Sequence, residues 1–154
     1  MTIAAILNTK GRDIVRVAPD AHVSEVVACL AEHRIGAVLV LDAAAPRFNA
    51  RSVQILGIVS ERDIVRALTR AHAAGDVLDM NASQIMTEAR HTVSPSASLS
   101  DAATLMTERR VRHLPVLEND VLVGMVSIGD VVKARLEQYS CEVDSLKAYV
   151  GGTH

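Results

Sequence analysis

Two stretches carry the polar groups that could do chemistry, GIVSERDIV at residues 57–65 and GMVSIGDVV at residues 124–132. In each, a serine ends a β-rich run and an aspartate follows three residues later, where a helix should open: Ser60 with Asp63, and Ser127 with Asp130. Backbone N–H groups and the positive end of the helix dipole then converge on one spot, which favours an anion. The carboxylate, an acceptor only, can take both hydroxyls of a ribose 2′,3′-diol while the serine hydroxyl faces sugar or phosphate. The same S-x-x-D spacing is also that of a capping box, in which serine and aspartate satisfy orphan N–H groups of their own helix. Arg62 places a cation in a first helical turn, where the dipole disfavours it unless an anion sits nearby; Gly129 holds the equivalent place in the second copy. Gly57 and Gly124, three residues before the serines, allow either a close backbone approach or a strand bulge.

The elements that position these groups also occur twice. VAPDAHVSEVVACLAEHRIGAVLVL, from Val17, aligns without a gap to VSPSASLSDAATLMTERRVRHLPVL, from Val93, a displacement of 76 residues. The closing motifs align at 67 residues, so the first copy carries nine more, within DAAAPRFNARSVQ, which reads as a polar hairpin loop. Val23, Val26, Val27 and Leu30 recur at helical spacing, as do Leu99, Ala102, Ala103 and Met106. AVLVL and HLPVL then read as strands, followed by a turn (ENDV in the second copy), a second strand and a second helix. The unit is helix, strand, strand, helix, and two such units can bury the sheet faces that neither buries alone. The expected organisation is repeat 1 over 8–70, with a hairpin insertion about 42–53; a linker over 71–84; repeat 2 over 85–138; and a short C-terminal helix and tail over 139–154.

Composition narrows the function. The 154 residues are 49% hydrophobic and 22% charged with a formal net charge of −2, which fits a folded core and argues against nucleic-acid or acidic-membrane partners. Aromatic content of 2% leaves almost no stacking platform for single-stranded bases. Cys29 and Cys141 stand far apart and read as free thiols, Cys29 as a small core residue. The six histidines show no pair at metal-ligand spacing, Met86, Met106 and Met125 read as core filling, and no GxSxG, HExxH or P-loop pattern occurs. No apolar run reaches the length of a membrane span and no leader pattern is present, so a cytoplasmic protein is expected.

IGAVLV with GIVSERDIVR, IMT in the connector, and RRVRHLPVL with GMVSIGDVVK together resemble a cystathionine beta-synthase (CBS) domain pair, or Bateman module, over roughly Lys10 to Tyr149. The resemblance implies an α/β (α+β) fold of two repeats with a short extra strand each, packed by pseudo-twofold symmetry. It also implies a non-enzymatic regulatory module that binds adenosine-containing ligands (AMP, ATP, NAD(H) or S-adenosylmethionine), senses energy or redox state, and forms a homodimer. By the family pattern, one pocket combines Gly36, Ala37, Ser60, Arg62 and Asp63 with Thr92 and Val111. The other combines Arg112, His113, Ser127, Gly129 and Asp130 with Arg16 and Ile35. Asp63 and Asp130 would hold ribose, Arg62 and Arg112 phosphate, and Ile35 and Val111 would flank adenine. Lys10, in NTKGRD, reads either as a phosphate contact or as an exposed lysine. No catalytic cofactor is implied. The competing expectation is an interaction module whose clefts take no ligand and which docks on an unidentified partner protein.

Overall fold

The computed structural model describes residues 1–42 and 54–152. The hairpin insertion expected about 42–53 lies, apart from Asp42, outside the described residues. The chain forms two compact bodies: one of Asp13–His91 with Asn119–Leu122, the other of Met1–Arg12, Thr92–Glu118 and Val123–His154.

In the first body, helix α2 (Val23–His33) buries Val23, Val26 and Leu30. Val27, expected on the same face, is 38% exposed, because the buried stripe is narrower than the i, i+3, i+4 pattern allows. Strand β2 (Ala37–Leu41) is buried along its whole length, as a continuous apolar run in a central strand should be. It lies between β1 (Arg16–Val17), parallel, and β3 (Ile55–Ser60), antiparallel, with Val17 opposite Val40 and Ala37 opposite Ser60. Helix α3 (Glu61–Arg70) leaves directly from the end of β3. The stretch expected to be a linker is ordered into α4 (Ala74–Leu78) and α5 (Ala82–Ile85). Val77 and Ala82 are fully buried, Ala82 in the core of this body with Val26, Val38, Val40 and Val59.

The second body repeats the plan. Helix α6 (Leu99–Arg109) buries Leu99, Ala102 and Met106, and strands β4 (His113–Glu118) and β5 (Val121–Ser127) form a hairpin. Asn119 and Asp120 both take positive φ, 51° and 63°, as a two-residue type I′ turn requires. The counterpart of β1 is the parallel bridge Val93–Val116, which matches Val17–Val40 residue for residue. Helix α7 runs unbroken from Ile128 to Gly151, where the sequence reading divided it near residue 139. No proline or glycine stands between Gly129 and Gly151, so nothing in the chain stops it.

The leading segments change places. Helix α1 (Ile3–Lys10), which opens repeat 1, contributes Ile3, Ile6 and Leu7 to the core of the body built from repeat 2, whereas α5 completes the body of repeat 1. Docking is the same in both. The N–H groups of Ala82, Ser83 and Val23 donate to the carbonyls of Ala21, Pro19 and Met80; those of Ile3, Ala4 and Leu99 donate to Ala97, Pro95 and Met1. Among the described residues, no helix is long and apolar enough to cross a membrane.

Candidate functional site

Both serine–aspartate pairs sit where a strand turns directly into a helix, and both form the capping box. The Ser60 N–H and hydroxyl each donate to Asp63 Oδ2 at 2.8 Å, and the Asp63 N–H donates back to Ser60 Oγ at 3.4 Å. The Glu61 N–H donates to the Gly36 carbonyl at 3.0 Å. Donors at Ser60, Glu61 and Asp63 are therefore satisfied within the chain, so the helix end offers an anion less than its dipole alone would suggest. Asp63 is 7% exposed, a burial cost for a carboxylate that its hydrogen bonds offset. Its second oxygen, Oδ1, accepts from Thr87 Oγ1 at 2.7 Å. Thr87 was missed as a site residue; the signal available was its place in the IMT motif of the connector.

The second pair keeps the cap and changes the other partner. The Ser127 N–H donates to Asp130 Oδ2 at 2.8 Å, and the Asp130 N–H donates to Ser127 Oγ at 3.2 Å. The Ile128 N–H takes the Arg112 carbonyl at 2.8 Å. Lys10, at the end of α1, brings Nζ to 2.6 Å from Asp130 Oδ2 and donates to the Met125 carbonyl at 3.0 Å. Burial pushes the Asp130 carboxyl up, but the Lys10 hydrogen bond, the Ser127 N–H, the Lys10 charge and the Ser127 hydroxyl together hold it below its ordinary value. Lys10 is thus an ion-pair partner of a candidate ribose ligand, a role the sequence reading did not assign.

The glycines are explained by the exchanged segments. A Cβ on Gly57 would lie 2.8 Å from both Met86 Sδ and the Thr87 carbonyl oxygen, and one on Gly124 would lie 2.8 Å from Leu7 Cδ2. Close approach is what both serve, and at Gly57 the strand also bulges: Val40 pairs with Gly57 and Leu41 with Ile55, which leaves Leu56 out of register.

The remaining predicted residues are only partly gathered. Ala37 is buried opposite Ser60 in the sheet, and Ile35 and Val111 pack, half-buried, against the cores of their own bodies. Arg62, Arg112, Gly129 and Thr92 are exposed, and so is Arg16 at the β1 edge; His113 is half-buried at the start of β4. Thr92, Val111, Arg112 and His113 belong to one body and Arg16, Ile35, Gly36 and Ala37 to the other. Within the first body, Ile35 and Gly36, expected in different pockets, line one largely apolar cavity of about 550 Å³ with Val27 and Ile64, whereas Asp63 lines a second of about 360 Å³ with Thr87, Arg66 and Arg70. Arg66 and Arg70, cations that line the same cavity as Asp63, were not among the expected site residues; Arg66 closes the GIVSERDIVR motif and Arg70 lies one helical turn beyond it.

The other reactive types are in ordinary settings. Burial and the Glu32 carboxylate push the Cys29 thiol up, which keeps it protonated and unreactive. Among the described residues, no group of three or more His, Cys, Asp or Glu is placed to hold a metal ion.

Comparison with known proteins gives these junctions a context. The profile described as "CBS domain" matches residues 6–70 and 82–137. A mitochondrial CBS domain-containing protein of Arabidopsis thaliana is 31% identical over 98% of this chain and 72% of its own length. A crystal structure of a CBS-domain containing protein from Agrobacterium tumefaciens is 38% identical, covering 88% of this chain and 99% of that one, with a TM-score of 0.78. A CBS domain protein from Pyrobaculum aerophilum, solved in complex with AMP, is 30% identical over 84% of this chain and 89% of its own, with a TM-score of 0.68.

Proposed function

Because the chain belongs to the CBS domain family, as a pair of CBS repeats, we propose that it is a regulatory module without catalytic activity that binds an adenosine-containing nucleotide such as AMP, ATP or NAD(H). The observation that carries this is the AMP complex of the Pyrobaculum relative, at 30% identity over most of both chains. The chemistry of the junctions agrees with it. In the first body, Ser60 and Asp63 with Gly36 and Ala37 form a candidate ribose site, with Arg62, exposed in the same first turn, for phosphate. In the second, Ser127 and Asp130 with Arg112, His113 and Gly129 form another, with Lys10 as its cation. A ribose hydroxyl that takes Asp130 Oδ2 displaces the Lys10 ammonium, which is then free to meet phosphate; one that takes Asp63 Oδ1 displaces only the Thr87 hydroxyl. The two sites are therefore expected to differ in affinity. Signalling would follow from tighter binding to one of two conformations, a population shift, in a homodimer that answers to energy or redox state.

The test is thermal unfolding with AMP, ADP, ATP, NAD, NADH or S-adenosylmethionine. A ligand at a hundred times its dissociation constant adds roughly 2.7 kcal/mol, which at this length raises the Tm by roughly 5–10 °C. The Asp63→Asn and Asp130→Asn variants should each lose part of that rise. No rise with any nucleotide at millimolar concentration sinks the proposal.

One observation favours a second reading. Both carboxylates already have partners inside the chain, so the boxes can be purely structural and the module can dock on a partner protein without ligand. Capture of the same protein with and without added nucleotide, together with a flat thermal panel, would support it.

A further inference from the structure

Helix α7 has two apolar faces, and its own body uses one. Val131 and Ala134 are buried in that body, 4% and 5% exposed. On the other side Val132, Leu136, Tyr139, Val143, Leu146 and Val150 are between 47% and 72% exposed. Their spacing is four, three, four, three, four, which is the a/d seam of a heptad repeat and holds one line along a helix. No charged residue interrupts it. Positions flanking the polar face are Glu137, Gln138, Cys141, Asp144 and Ser145, so the helix is amphipathic beyond the end of the repeat. From Tyr139 on every described residue is exposed, and a helix of about a dozen residues is marginal in water without tertiary support.

The occupant is indicated by charge. With Leu136, Val143 and Val150 at a and Val132, Tyr139 and Leu146 at d, Glu142 is a g position and Lys147 the e position five residues later. That is the g-to-e′ pair of a parallel two-stranded coiled coil, and twofold symmetry forms it twice. The seam lies opposite Ala134, an f position, so a partner helix approaches from the side that the body leaves open. Arg135, at g, already lies over the Tyr139 ring, 5.7 Å from its centroid, and so flanks the seam with its stem. Basic and acidic residues balance along this half of the helix (Lys133, Arg135 and Lys147 against Glu137, Glu142 and Asp144), which gives an anionic membrane no purchase.

We propose that the C-terminal half of α7 pairs with the same segment of a second copy of this chain as a parallel coiled coil along Val132, Leu136, Tyr139, Val143, Leu146 and Val150. The proposal rests on the homodimer of the reading above and specifies its contact. It is tested in the full chain carrying Cys29→Ser and Cys141→Ser, with either Leu146→Cys on the seam or Asp144→Cys on the polar face. Both added positions are exposed, and circular dichroism checks that helix content is kept. Parallel pairing sets the two d-position thiols opposite each other, so mild oxidation should give a covalent dimer at least tenfold faster for Leu146→Cys than for Asp144→Cys. Equal rates, or no cross-link, while sedimentation shows a dimer, overturns the coiled coil and leaves the homodimer standing. A monomer at high concentration overturns both, and nucleotide binding is judged separately by the thermal panel.

Discussion

Asp63 and Asp130 hold the same place in their repeats and answer to different partners, a threonine hydroxyl in one and an ammonium in the other. The Lys10–Asp130 pair is partly exposed, 37% and 22%, so its coupling should be about 0.5–1 kcal/mol. Its pH signature is more telling. Because the folded carboxyl is held below its ordinary value of 3.8, the stability it contributes is present above that value and is lost as pH falls through the lower, folded one. Replacing Lys10 by Met, the residue that stands at the matching place in the second repeat (Met86), removes the largest of the contacts that hold Asp130 down and leaves only Ser127 to oppose burial, so the carboxyl moves up. Urea unfolding followed from neutral pH down to about 3 should show Lys10→Met less stable than the parent at neutral pH, with the gap closing as pH falls and Asp130 is protonated in both. Curves that coincide throughout, or a gap that does not change with pH, would mean that the pair contributes nothing. The capping boxes were legible in the sequence because serine and aspartate are three residues apart. The partners of the second carboxylate oxygen and of Asp130 were not, since Thr87 and Lys10 arrive from 24 and 120 residues away and only folding brings them there.

At the scale of the element, the repeat was readable because helix, strands and closing motif recur at fixed displacement, and the structure returns the same pairings, Val17–Val40 and Val93–Val116. What escaped the reading was α1. Ile3, Ile6 and Leu7 are too few for a periodicity to stand out, and their partners lie in the other repeat. Gly124 and Leu7 supply the test of that contact. Leu7 is 1% exposed and cannot swing away, so Gly124→Ala should cost about 1–3 kcal/mol. Leu7→Ala should cost about 2–5 kcal/mol, and the double variant less than the sum, because the new methyl enters space that leucine vacates. Gly57→Ala should gain no such relief from Met86→Ala, since the Thr87 carbonyl oxygen stays 2.8 Å from the added carbon. Strict additivity at Gly124 and Leu7 in urea denaturation would refute the contact. The length of α7 escaped for another reason: the repeat ends near residue 138, but a helix ends only where its chain supplies a stop.

For the whole molecule, the exchange of leading segments means that the sequence repeats are not the folding units. Residues 1–80 by themselves lack α5 and Thr87, and residues 81–154 lack α1 and Lys10. Each fragment alone is expected to melt without a cooperative transition, and an equimolar mixture to recover helical circular dichroism. A sharp transition in either fragment alone would show that a repeat folds without the other's opening segment. The same exchange orders events on the ribosome. The body made from residues 13–91 has nearly all its pieces once that stretch has emerged, but α1, translated before it, packs with strands and helices translated after it. At roughly 5–20 residues per second, Ile3, Ile6 and Leu7 wait on the order of ten seconds for Leu114, Val126 and Val131 to be made. An eight-residue helix is not stable in that interval, so the α1 stretch of the nascent chain is an apolar, unfolded segment that chaperones can hold. Ile3, Ile6 and Leu7 are thus made well before their native contacts and are among the last residues to reach them.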